Sequence, residues 1–316
     1  MLLGIVLAVA WWVDLREVGG ALLALTPNVL AIALILATVD RFVMAYKWRQ
    51  LVLASDVPLR YLTALRIHYQ AAASGRVVPA PLAADILRAW LTSQARVPEG
   101  VAVSSIVIEK LVGLLVSIFV ALLGLTYLTG RLAPQVNQGA LFALLGLALC
   151  AAWGGLALLL LSSAHRLGAR LHRRWLLKGA LSRRVGRLAS KISSALLHYR
   201  TCHRALLFNG LLGLGEYALQ LTKLLVLAIG LGVGLPPLTF VAVASVMLFV
   251  RRVSGTMESW GLGEGSAVVV LVLLGVEADQ AVALLLANFA ISTVAVLPGA
   301  VLFYTHPVHM PATRAR

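Results

Sequence analysis

Apolar runs long enough to cross a bilayer alternate along this chain with polar breaks, and the runs come in two lengths. Full spans are expected at about 1–13, 28–47, 101–128, 139–162, 205–232 and 280–304. A helix rising 1.5 Å per residue needs about 20 apolar residues to cross a core of roughly 30 Å. The first run covers only about 20 Å, so either Asp14 and Arg16 snorkel or more chain precedes it. It lacks a basic leader and a small-residue cleavage site, and so reads as a span and not a signal peptide. Trp11, Trp12, Trp48 and Tyr127 fall near span ends, where aromatic belts belong.

The shorter runs flank two breaks. One covers about 60–95 and is interrupted at Pro79 and Pro81. The other joins 236–250 to 266–276 through a segment containing Gly261 and Gly263. As helices, those last two runs reach only about 22 and 16 Å. Each break reads as a re-entrant helical hairpin, since interrupted helices occur at membrane depth only where protein or a watery cavity surrounds them. A matched pair of such breaks in two halves of a chain points to a transporter's binding site.

Composition agrees. The chain is 60% hydrophobic and only 12% charged, about half the charge of a soluble domain. The net charge of +15 is not that of a nucleic-acid reader: eleven basic residues lie between Arg166 and Arg204, a stretch without Asp or Glu. That is the signature of a loop held at the cytoplasmic face, where it can also attract anionic head groups. With 163–204 inside, Lys47, Arg49, Arg60, Arg66, Arg96 and the chain ends fall inside too, and the charge-poor loops at 14–27, 129–138 and 233–237 fall outside. The first hairpin then enters from the cytoplasm and the second from outside.

The expected fold is all-α: a polytopic integral membrane protein with about six full spans, two opposed re-entrant hairpins and an inverted repeat. A single domain covers 1–316: a first half 1–162 with its hairpin, the basic loop 163–204, a second half 205–304 with its hairpin, and a tail 305–316. Sequence similarity between the halves is weak. The inversion is inferred from topology.

Ionisable groups at membrane depth are costly unless paired or hydrated, and each is a candidate for function. Asp85 and Arg88 are three apart on one helix face. They could bind and orient a phosphate, or form an ion pair that staples the hairpin. Glu109 and Lys110 are adjacent, point about 100° apart, and so need partners elsewhere, Arg88 being one for Glu109. Glu216, Gln220 and Lys223 form a stripe facing either a cavity or another helix. Arg251 and Arg252 precede the second break and Glu264 follows it. They lie within the membrane as phosphate ligands, unless 236–250 crosses fully and they are interfacial anchors. His68 could titrate beside the first hairpin.

Other chemistries find no support. Gly261-Leu262-Gly263-Glu264-Gly265 lacks the strand–turn–helix context of a dinucleotide site. The histidines show no metal-ligand spacing, so no metal or cofactor is expected. Cys150 and Cys202 sit in an apolar span and the basic loop, which makes a disulfide unexpected.

The two breaks resemble the signature regions of the lysylphosphatidylglycerol synthase transmembrane-region, or flippase-like, family. A Pro…Gly-Gly-Asp…Arg motif corresponds to Val78-Pro79-Ala80-Pro81-Leu82-Ala83-Ala84-Asp85-Ile86-Leu87-Arg88. A Glu-Arg pair corresponds to Glu109-Lys110 within Glu109-Lys110-Leu111-Val112-Gly113. Gly-Trp-Gly-x-Arg-Glu-Gly corresponds to Ser259-Trp260-Gly261-Leu262-Gly263-Glu264-Gly265, and Leu274-Gly275-Val276 through Ala281 resembles the turn that follows. The chain departs from the pattern at Ala83 and Ala84, at Lys110 and at Gly263, which replaces an arginine.

The resemblance implies a lipid translocator of the bacterial cytoplasmic membrane, without an aminoacyl-transferase domain. It would move an anionic or glycosylated lipid: an aminoacyl phospholipid or an isoprenoid- or hopanoid-linked one. Arg88, Lys110, Arg251 and Arg252 would bind the head group, with Asp85, Glu109, Glu216, Lys223 and Glu264 supporting or coupling. The alternative is a non-transporting partner that presents lipid to a modifying enzyme docked on loop 163–204. A membrane-embedded transferase would have to use Asp85 as its base.

Overall fold

The computed structural model describes residues 15–77, 83–132, 199, 201–253 and 262–305. Every described element is a helix: α1 (Leu15–Leu23), α2 (Pro27–Leu53), α3 (Tyr61–Val77), α4 (Ala83–Gln94), α5 (Glu99–Leu132), α6 (His203–Gly230), α7 (Pro237–Val253), α8 (Leu262–Leu273), α9 (Ala278–Val294) and α10 (Leu297–Thr305). Four stretches are long and apolar enough to cross a membrane: Pro27–Leu53, Glu99–Gly130, His203–Gly230 and Ala278–Phe303. They match four of the expected spans. The expected spans at 1–13 and 139–162 and nearly all of the basic loop lie outside the described residues, as do Pro79, Pro81 and Gly261.

Helix ends follow local chemistry. Pro27 opens α2, where its missing N–H costs nothing. The helix then runs past Lys47 to Leu53, so Lys47 lies inside the span and not at its end. The last stretch, expected as one helix over 280–304, is broken at Ala295–Val296 before Pro298, which cannot donate to the preceding turn. The short α10 thereby packs on α3. A side chain at Gly299 would place its Cβ 2.1 Å from the Tyr69 carbonyl oxygen, so the two backbones touch as small-residue contacts in membrane helices do.

The main apolar core is shared by α2, α6, α7 and α9, with Tyr217, Phe240 and Leu284 buried at its centre. A second cluster around Trp48, Ile67, Leu91 and Ile106 joins α3 and α4 to α2 and α5. Large apolar side chains such as Ile35, Leu207, Leu211 and Val301 remain exposed outside, as a lipid-facing surface requires. The Tyr199 hydroxyl donates to the Leu51 carbonyl at 2.8 Å, pinning the chain ahead of α6 to the end of α2.

The halves repeat. The helices α3 and α4 have 17 and 12 residues, and so do α7 and α8. Positive φ occurs at Asp56 and Arg96 in the first half and at their counterparts Gly232 and Gly275 in the second. The turn after α4 closes with Arg96 N–H to Ser93 and Val97 N–H to Thr92, and the turn after α8 with Gly275 N–H to Val272 and Val276 N–H to Leu271. Contacts repeat in crossed form: α3 packs on α10 of the other half, and α7 on α5.

Between the halves, α2 and α6 run antiparallel, for Gly230 lies against Val29 while Glu216 lies against Lys47. The long helices that open the two halves therefore point in opposite directions.

Candidate functional site

Charged side chains set between these helices form two centres. The first lies between α4 and α5. Asp85, in the opening turn of α4, and Arg88 share a face, and both find partners on α5. The Lys110 amine meets the Asp85 carboxylate at 2.6 Å, and the Arg88 guanidinium meets Glu109 at 2.7 Å. The adjacency of Glu109 and Lys110 is what crosses the pairs. Arg88 also stacks on Trp48, 4.2 Å from its ring centroid, and the Trp48 indole N–H donates to Ser105 at 3.1 Å.

Exposure separates the two pairs. The Arg88 and Glu109 side chains are 8% and 7% exposed, those of Lys110 and Asp85 45% and 22%. One end of this centre is open and the other sealed.

The second centre is Glu216 on α6, completely buried. The Lys47 amine donates to one carboxylate oxygen. The other accepts from Arg252 of α7 at 3.1 Å and from the Gln220 amide at 3.3 Å. Arg252 lies 5.3 Å from the Tyr217 ring centroid. It reaches Glu216 across Gly113, where any Cβ would stand 2.3 Å from the guanidinium. Gly113 is one turn beyond Glu109, so Arg252 lies against the helix that carries the first centre.

Further along the α2–α6 seam, Lys223 donates to Ser292 of α9 at 2.9 Å, and Asp40 pairs with its neighbour Arg41 at 2.6 Å. The other Asp40 oxygen is buried and has no hydrogen-bond partner. His68 is also buried with neither ring nitrogen bonded. Among the described residues no group of three His, Cys, Asp or Glu side chains could hold a metal.

Of the residues singled out from sequence, Asp85, Arg88, Glu109 and Lys110 come together, as do Glu216 and Arg252. Arg88 is indeed the partner of Glu109. Lys223 sits apart from Glu216 despite the shared stripe, and Arg251 is half-buried beside Arg252. Gly263 and Glu264 fall in the first turn of α8, and the Glu264 side chain lies outside the described residues. Sequence reasoning missed Asp40 and read Lys47 as a cation of the cytoplasmic face. The available signal was Asp40, an acid in the middle of the apolar run, with Lys47 two turns beyond it.

No curated protein matches this chain. A family model described as the lysylphosphatidylglycerol synthase TM region matches residues 2–299. With nearly its whole length matched, and with long apolar helices to carry the buried charges, the chain belongs to the lysylphosphatidylglycerol synthase transmembrane-region family, a membrane family associated with lipids.

Proposed function

We propose that this protein translocates a lipid with an anionic or glycosylated head group across the cytoplasmic membrane of a bacterium. One observation carries this reading: the buried network is unbalanced. Among the described residues, Arg41, Lys47, Arg88, Lys223 and Arg252 are set against Asp40, Glu109 and Glu216, with the Lys110–Asp85 pair at the more exposed end. Excess positive charge at membrane depth is expensive, and a phosphate passing through offsets it. Guanidinium groups grip such a group with two parallel hydrogen bonds.

The helix pairs α3–α4 and α7–α8 are re-entrant in this reading, entering from opposite faces with both chain ends cytoplasmic. The head group enters at the open Lys110–Asp85 end and is handed by way of Arg88 to Arg252, while the tails stay in lipid. Arg251, and Glu264 after the second break in the sequence, are the groups that receive or release it in this reading. The protein acts as a transporter and catalyses no transfer, and its partners are the lipids themselves.

Reconstituted protein tests this with a panel of fluorescent lipids: an aminoacyl phosphatidylglycerol, a polyprenyl phosphate and a hopanoid glycolipid. Movement of one of them by the wild type, abolished in Arg88→Ala, supports the reading. No movement of any lipid by well-folded protein shifts the function to lipid presentation for a partner enzyme.

A further inference from the structure

The two halves share positions but not pairings. On α2 and α6, Asp40 is the counterpart of Glu216 and Lys47 of Lys223, each pair being the same number of residues apart. The antiparallel seam that sets Lys47 against Glu216 also sets Lys223 opposite Asp40. Yet Glu216 has both oxygens engaged, by Lys47 on one side and by Arg252 and Gln220 on the other. Asp40 holds only its chain neighbour Arg41 and keeps a buried oxygen without a partner. Lys223 rests on the Ser292 hydroxyl instead.

Such an asymmetry within a symmetric frame is what alternating access requires. In an inverted-repeat transporter each half adopts in one state the arrangement its mate holds in the other.

We propose that Asp40 and Lys223 are the counter-pair of Glu216 and Lys47: in the opposite-facing state Lys223 leaves Ser292 for Asp40, while Lys47 releases Glu216. One lysine–carboxylate bridge is closed in each state, so a bridge broken on one side is repaid by its equivalent on the other. The two states thereby stay close enough in free energy to interconvert. This assignment rests on the transport reading, and it names the positioning residues of the cycle.

Hydrogen exchange followed by mass spectrometry, on the protein in lipid nanodiscs, tests it without needing transport. Glu216→Gln removes the bridge present here. It should raise exchange in peptides of α7–α8 and lower it in those of α3–α4, by at least about threefold each. Lys223→Met removes the counter-bridge and should produce the reverse pattern. Asp40→Asn should reproduce Lys223→Met, and Lys47→Met stands in for Glu216→Gln if that variant does not fold. Changes of the same sign in all variants, or a Lys223→Met protein indistinguishable from wild type, would overturn the proposal. Opposite patterns in a protein that moves no lipid would uphold the exchange of pairs and defeat the transport reading instead.

Discussion

Lys47 and Lys223 occupy the same position in the two halves of the chain, and only Lys47 rests on a carboxylate. The difference should be measurable as stability. Removing one member of a buried ion pair strands the other and costs about 3–5 kcal/mol, whereas a hydrogen bond from a charged group to a hydroxyl, such as Lys223–Ser292, contributes about 1.5–3 kcal/mol. Thermal unfolding in detergent should therefore show Lys47→Met melting below Lys223→Met. Equal losses would mean the pairings are not as asymmetric as they stand here.

The crossed pairs between α4 and α5 differ in the same way. Arg88–Glu109 is sealed and Lys110–Asp85 is half open. Lys110→Ala should cost under about 1 kcal/mol, and that small effect should shrink with added salt. Arg88→Ala, which leaves Glu109 buried and Trp48 without its stacked cation, should cost about 3–5 kcal/mol. A double-mutant cycle on each pair checks both values. Comparable coupling energies would contradict the sealed-and-open arrangement.

Gly113 is where function and packing separate. A methyl group there meets the flexible end of Arg252, so Gly113→Ala should lower the melting temperature less than Lys47→Met does, because Lys47 still holds Glu216. It should still push Arg252 off Glu216 and slow lipid movement several-fold. A normal rate in Gly113→Ala would remove Arg252 from the pathway.

Gly299 poses the opposite case. Its close neighbour is the Tyr69 carbonyl on α3, which cannot step aside without moving the helix. Overpacking of this kind costs typically about 1–3 kcal/mol, so Gly299→Val should lower the melting temperature measurably. An unchanged value would show that α10 is free to leave α3.

How much of this was visible in the sequence depends on the interaction. Span lengths are local properties, and the expected boundaries at 28–47, 101–128 and 205–232 fall within a few residues of α2, α5 and α6. The charges on the breaks were also legible, because Asp85, Arg88, Glu109 and Lys110 have no inexpensive place in lipid. Pairings between distant segments were not, since nothing local ties Lys47 to Glu216 or Arg252 to Gly113. The repeat was hidden for another reason. Positive φ is met by Asp56 and Arg96 in one half and by glycine in the other, so the halves share backbone geometry with little residue identity. Lys47 was misplaced because a lysine near the end of an apolar run reads as an anchor, and only the extension of α2 to Leu53 puts it inside.

Translocation across proteoliposomes tests the account most directly, with wild type, Arg88→Ala and Arg252→Ala measured side by side on the same lipid panel. The account predicts that wild type moves one phosphate-bearing or glycosylated lipid and that both substitutions stop it while the protein remains folded. Undiminished movement in both variants would contradict it, because the charged network would then not be the path.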